Sequence, residues 1–267
     1  MGRFENKVVV VTGAGTGIGR ACAEAFGREG AHVVAAEIEE AGGSEVVESI
    51  TAAGGSAVAF RLDAGDESSI LSLVEHVRSN HGRLDVLHNN AGIHETSLSS
   101  EATSYQLPTE AWDRVIAVNL RGPWLLSKHF APLLAAAGGG AIVNAASIGG
   151  MVGYPMGSAY GPSKAGLIQL TRVMALELAP QGTRVNSYAP GNTDTRMVQR
   201  YFRDDKGEVI ESVRSQLIDT HLIHRLLRPE EVAATVLFLA GDESSGITGT
   251  NVVVDAGTLA WRGVQGS

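Results

Sequence analysis

The chain has 267 residues, 44% of them hydrophobic and 19% charged, with a formal net charge of -8. This composition can fill the core of one large α/β domain or two small ones, and without a basic block it argues against nucleic acid as the main partner. Cys22 is the one cysteine, so an intrachain disulfide and a cysteine metal cluster are excluded. No stretch reaches the ~18 apolar residues of a membrane span, and Met1 to Asn6 carry no signal-peptide apolar region. A cytoplasmic, metal-free protein without a membrane partner is the expectation.

The first element is a strand-like run, Val8–Val11, followed by Thr12-Gly13-Ala14-Gly15-Thr16-Gly17-Ile18-Gly19 and a helix-like stretch, Arg20–Arg28. Further strand-like runs are Val33–Ala36, Ala57–Leu62, Leu84–His88, Ala141–Ala145, Arg184–Ala189 and Asn251–Val254. Helical stretches lie between most of them: Glu40–Ala53, Glu67–His81, Thr109–Ala137, Ser163–Leu178 and Pro229–Ala240. Short β-branched runs separated by longer helices imply crossover units and a parallel sheet buried on both faces. The reading is a doubly wound α/β fold with seven parallel strands in a single domain, 1–267. Residues 192–228 show no strand alternation. A long excursion after the sixth strand is well placed to cover a substrate, because ligands bind beyond the carboxyl ends of such strands.

The order strand, glycines, helix suits a dinucleotide. Glycines turn tightly and let the backbone approach a pyrophosphate, and the next helix presents its N-terminal amides to the charge. Gly13, Thr16, Gly17, Ile18 and Gly19 are the candidate contacts, in a T-G-x-x-x-G-x-G spacing; alone, such a loop also fits a structural turn. Glu37 ends the second strand, where a carboxylate can accept hydrogen bonds from both adenosine ribose hydroxyls and would repel a 2′-phosphate. Thr16 and Ile38 supply no cation for such a phosphate, so NAD is expected over NADP. Asp63, with Ala64, ends the third strand and is a candidate contact to the adenine amino group. Taken alone, Glu37 equally suits a solvated strand end and Asp63 a helix cap.

Tyr160-Gly161-Pro162-Ser163-Lys164 places Tyr and Lys one helical turn apart on one face. A phenol with a pKa near ~10 is a poor base at neutral pH, and an adjacent ammonium favours the phenolate. Pro162 is tolerable in a first helical turn.

Together with Asn119 in V-N-L, Ser147 in N-A-A-S, N-N-A-G at 89–92 and P-G-N-T-D-T at 190–195, these motifs resemble the short-chain dehydrogenase/reductase family of the compact single-domain type, from Lys7 to Asp255. The resemblance implies a Rossmann-like fold and NAD-dependent interconversion of a secondary alcohol and a ketone by hydride transfer. It makes Tyr160 the general acid/base, Ser147 the group that orients the substrate oxygen, and Lys164 the residue that lowers the Tyr160 pKa and binds the nicotinamide ribose. Asn119 would hold a water that links Lys164 to solvent. Tyr160 borders the cofactor as well. Asn90, Ala91 and Gly92 would line its adenosine and ribose side. Pro190, Gly191, Thr193 and Thr195 would follow the nicotinamide end, Thr193 through its backbone amide. The family commonly forms homotetramers, and Trp261 is expected at a subunit contact.

The chain departs from the family pattern at Thr193, at His88, which precedes N-N-A-G where an apolar residue is usual, and in a segment from Ile93 to Thr109 that is longer than common. Candidate substrate residues are His94, Ser147, Met151, Tyr154, Tyr160 and Asn192. Gly149, Tyr188, Met197, Tyr201, Phe202, Leu217, His221 and Leu222 are further candidates. His94 and His221 are expected at the solvent-exposed surface. A cofactor-retaining epimerase or dehydratase and a non-catalytic dinucleotide sensor are the alternative functions.

Overall fold

A computed structural model describes residues 2–204 and 206–260. Trp261 lies outside the described residues.

Seven parallel strands form one sheet in the order β3-β2-β1-β4-β5-β6-β7. They are β1 (Val8–Thr12), β2 (His32–Glu37), β3 (Ser56–Arg61), β4 (Val86–Asn89), β5 (Ala141–Ala145), β6 (Arg184–Pro190) and β7 (Asn251–Val254). All five residues of β1 are buried, as befits a central parallel strand covered on both faces. Its side chains alternate between two cores. Val9 and Val11 pack with Cys22 and Phe26 of α1 (Gly17–Arg28) and with Val232 and Val236 of α9 (Pro229–Ala240). Val8 and Val10 pack with Ile70 and Leu73 of α3 (Glu67–His81) and with Leu126 and Phe130 of α5 (Gly122–Ala136). The period of two along the strand therefore builds both halves of the core. Phe26 is fully buried, edge-on to Phe4 at 4.8 Å between ring centres; truncating such a residue to Ala costs about 3–5 kcal/mol. Burial pushes the Cys22 thiol pKa up, and the side chain serves as packing.

The remaining helices are α2 (Glu40–Ala52), α4 (Thr109–Ile116), α6 (Tyr160–Leu178), α7 (Arg196–Gln199) and α8 (Glu211–Asp219). Two differ from the sequence reading. The helix expected over Thr109–Ala137 is interrupted by a π-helical turn, Ala117–Arg121, centred on Asn119. Pro123 has no N–H to return to the Asn119 carbonyl four residues back, so the α-helical ladder slips there. The helix expected from Ser163 begins three residues earlier, at Tyr160, with Pro162 still inside its first turn.

The sheet reverses direction of winding between β1 and β4, and the crevice beyond their carboxyl ends is where such folds bind ligands. Residues 192–228 rise over this end of the sheet as α7, α8 and their connections. Among the described residues no helix is long and apolar enough to cross a membrane, and no group of three or more His, Cys, Asp or Glu is placed to hold a metal ion.

Candidate active site

The glycine loop is tied to β4 by side chains. Asn90 Nδ2 donates to the carbonyls of Thr12 and Gly13, each at 3.0 Å, and Thr12 Oγ1 accepts from the amides of Asn90 and Ala91, also at 3.0 Å. Gly17 has φ +55°, a conformation that favours glycine. At Gly19 a Cβ would stand 2.0 Å from the Gly13 carbonyl oxygen, so α1 can approach the loop this closely only through glycine. Behind this cradle a cleft runs from Glu37, Asp63 and Ala64 past Gly13, Thr16, Gly17 and Ile18 to Asn90, Ala91 and Gly92. It ends at Tyr160, Lys164, Pro190 and Thr195. Gly19, Gly191 and Thr193 do not line it; Thr193 is buried and bridges to Leu227. An extended cleft with a glycine cradle in the middle and a carboxylate at one end fits a dinucleotide.

The two carboxylates at the far end are already engaged. Glu37 accepts from the amide of Gly15 at 2.8 Å and from that of Ile38 at 2.7 Å. Asp63 pairs with Arg114 through both oxygens at 2.9 and 3.0 Å and accepts from the Gly65 amide. The cap of α3 is Asp66, not Asp63. The sequence reading found no cation near Glu37, but Arg114 and Arg196 both line this cleft. Arg196 arrives from the covering segment and pairs with Glu39 at 3.4 Å. Its sequence distance from β2 hid it.

At the other end, Lys164 is buried, with Nζ donating to the Ala145 carbonyl at 2.7 Å and lying 5.5 Å from the Tyr160 ring centre. Burial pushes the Lys164 pKa down to about 8. Burial also pushes Tyr160 up to about 12, against the hydrogen bond from its partner Ser147. Desolvation thus dominates both groups. Ser147 itself accepts from the Gly149 amide at 3.0 Å, which fixes its hydroxyl at the end of β5. Asn119 accepts from the Ile93 amide at 2.9 Å and donates to the Ile93 carbonyl at 2.8 Å and to Ser163 Oγ at 3.2 Å. A Cβ on Gly92 would meet Lys164 Nζ at 3.3 Å and Asn119 Oδ1 at 3.4 Å, so these two side chains meet over one bare stretch of backbone.

The substrate side differs more from expectation. His94 and His221 are buried rather than exposed. The His94 ring lies 4.9 Å from that of Tyr160 and 5.8 Å from that of Tyr201, its Nε2 is 3.2 Å from Tyr154 Oη, and burial holds its pKa below the usual value. His221 Nδ1 is 2.6 Å from the Arg225 carbonyl oxygen. Tyr201 of the covering segment closes over His94, which sequence proximity does not reveal. Tyr201 of that segment is hydrogen-bonded to Thr96, and Met197 lines the cleft. Tyr188 is no pocket residue: it is fully buried in β6, with its hydroxyl 3.0 Å from His88 Nε2 and 3.4 Å from Asn90 Oδ1. That pairing explains the polar residue at 88. Met151 is exposed and lines a separate surface hollow with Gly150 and Ala165. Asn192 bonds to Leu217 and Thr220 within the covering segment. Phe202 is buried, and Leu222 packs where a Cβ on Gly257 would stand.

One buried group escaped the sequence reading. Glu95, on a 3₁₀ turn (Glu95–Ser97), has no exposure. Its carboxylate accepts from the amides of Ala159 at 2.8 Å and Tyr160 at 3.1 Å. No local pattern marks it, since both partners are some sixty residues away.

The model of the family described as enoyl-(acyl carrier protein) reductase matches residues 13–258. The cis-4-hydroxycyclohexanecarboxylate dehydrogenase of Sinomonas cyclohexanicum is 41% identical over 96% of this chain and 98% of its own. A solved structure from Burkholderia xenovorans, described as a short-chain dehydrogenase/reductase, superposes with a TM-score of 0.91 at 35% identity, covering 98% of this chain and 100% of that one. Another, from Beutenbergia cavernae, is described as an NAD(P)-dependent gluconate 5-dehydrogenase with NADP bound at low occupancy. It has a TM-score of 0.87 at 35% identity and covers 97% of this chain and 100% of its own.

Proposed function

The chain belongs to the short-chain dehydrogenase/reductase family, an oxidoreductase family that uses NAD(P), and on that premise we propose that it is an NAD-dependent dehydrogenase interconverting a secondary alcohol and its ketone. The observation that carries this reading is the convergence of Ser147, Tyr160, Lys164 and Asn119 at one end of a cleft whose middle is a glycine cradle. The bound nicotinamide supplies the hydride acceptor or donor and, when oxidised, a positive charge.

The chain's own residues do the rest. Ser147 hydrogen-bonds the substrate oxygen and holds it beside Tyr160. In oxidation the Tyr160 oxygen takes the hydroxyl proton as the carbinol carbon gives up its hydride; in reduction it returns the proton to the new alkoxide. Lys164 favours the ionised phenol, and Asn119 holds a water that links Lys164 to solvent. Because burial, joined by Tyr201 and Glu95 and opposed by Ser147, pushes Tyr160 to about 12, the positive charge of the oxidised ring is needed to bring it toward working range. His94, Tyr154 and Tyr201 wall the substrate side, with residues 192–228 as its cover.

NAD is favoured over NADP by Glu37, whose carboxylate opposes a 2′-phosphate; the cations that line the cleft, Arg114 and Arg196, are engaged by Asp63 and Glu39. The relatives from Sinomonas and Beutenbergia support an alcohol oxidised at a ring or chain carbon bearing a hydroxyl. Residues 1–267 act as a single unit, in a homotetramer, in the cytoplasm. The test is incubation with NAD and a panel of cyclic, linear and polyol secondary alcohols, following absorbance at 340 nm and identifying the product. Stoichiometric NADH and ketone support the reading. An isomerised product without net NADH would replace it with epimerisation.

A further inference from the structure

Tyr160 is the first residue of α6, and the residue that precedes it, Ala159, has no side-chain acceptor with which to cap the helix. Glu95 takes that place from another element: one oxygen receives the Ala159 amide and the other the Tyr160 amide, in a position with no exposure to solvent. We propose that Glu95 is a positioning residue for Tyr160, fixing the start of α6 through these two amides and setting, by its buried charge, the pH at which the Tyr160 hydroxyl ionises. This rests on the reading of Tyr160 as the proton-exchanging group.

The charge balance around Tyr160 follows from the groups that face it. Lys164 stands on α6, Ser147 beyond β5, His94 just before the 3₁₀ turn and Glu95 on it, Tyr154 on the loop before α6, Tyr188 on β6 and Tyr201 on the covering segment. Burial lowers the His94 pKa, while Glu95, whose carboxylate oxygen is 3.6 Å from His94 Nδ1, raises it. Of these groups Lys164 is the cation and Glu95 the carboxylate. A helix N-terminus and Lys164 both favour a phenolate; a carboxylate on the same amides opposes it, and the Tyr160 ionisation shifts upward with Glu95 among its causes. Glu95 thereby holds Tyr160 as a phenol until a second positive charge, that of the oxidised nicotinamide, stands beside it. Anchoring and tuning are separable. A cap needs an acceptor on each amide, whereas tuning needs the charge.

The experiment is a pH titration of protein labelled with 13Cζ-tyrosine and saturated with NAD, the Tyr160 signal being assigned by its loss in Tyr160→Phe. In Glu95→Gln the Tyr160 curve is expected to move about one pH unit lower than wild type, and kcat to fall because the amide side chain can accept from only one of the two N–H groups. Coincident curves in a folded Glu95→Gln overturn the proposal and leave a cap alone, as does the absence of Tyr160 ionisation in either protein up to about pH 11. Should Glu95→Gln fail to fold, Glu95→Asp retains the charge on a shorter arm: its curve must stay with wild type while kcat falls, and a curve displaced downward overturns the proposal. The titration needs no turnover, so activity surviving in Tyr160→Phe would remove the proposed function without altering this result.

Discussion

Lys164 Nζ and the Tyr160 ring centre are 5.5 Å apart, one turn of α6 from each other, yet the ammonium is directed at the Ala145 carbonyl, 2.7 Å away, at the end of β5. That anchor fixes the cation beneath the phenol without a direct bond to its oxygen. On the proposed mechanism Lys164 acts on Tyr160 through space, and with burial lowering its pKa to about 8 it stays mostly charged at neutral pH.

Replacing Lys164 with Met should leave the fold intact, since the side chain is buried and of similar length, and should remove the charge. We expect kcat to fall by about 10²–10⁴-fold, with the remaining activity moved to higher pH because the phenolate is less favoured. Initial rates against pH check this. A kcat within tenfold of wild type and an unmoved profile would take Lys164 out of the chemistry.

On the proposed function the choice of dinucleotide is set at the Glu37 end of the cleft. Glu37→Ala should narrow the ratio of kcat/KM for NAD over NADP by about tenfold or more, and adding Glu39→Ala, which frees Arg196 from its 3.4 Å ion pair, should narrow it further. Arg196→Ala alone should leave the preference for NAD in place. A ratio unchanged by Glu37→Ala would mean that another group discriminates.

His88 gives the fold an acid sensitivity. Burial pushes its pKa from the usual value of 6.5 down to about 3, and its Nδ1 has no hydrogen-bond partner. The unfolded chain binds the proton below pH 6.5 while the folded one resists it until near pH 3. The stability this contributes is therefore present above pH 6.5 and is lost as pH falls toward 3. Between pH 7 and 4.5 the loss from this one residue is about 2–3 kcal/mol. Denaturant unfolding at the two values should show His88→Leu declining less than wild type by that margin. Equal declines would mean that the imidazole becomes protonated in the folded state.

Much of this was readable from the sequence, for physical reasons. β5, β7, α3 and α9 lie where their patterns put them, because a strand covered on both faces is a continuous apolar run and an amphipathic helix keeps its period. The glycine cradle and the Tyr160–Lys164 pair are local spacings and survive folding unchanged. What did not read out is what the chain brings together from afar. Glu95 meets α6 across some sixty residues, Arg196 meets Glu39 across the cleft, and His94 is covered by Tyr154, Tyr160 and Tyr201, all distant from it in sequence. The π-helical turn at Asn119 was signalled by Pro123, but apolar periodicity runs through the break and conceals it.

The most direct test is the initial rate of NADH formation by wild type and Tyr160→Phe, with NAD and the secondary alcohol that wild type oxidises fastest, alongside the NAD dissociation constant of each. The dissociation constants should agree within about threefold, because the cleft from Glu37 to Asn90 is untouched, while the rate in Tyr160→Phe should fall by at least about 10³-fold with loss of the proton acceptor. A Tyr160→Phe rate within tenfold of wild type at the same NAD affinity would contradict Tyr160 as the group that exchanges the proton.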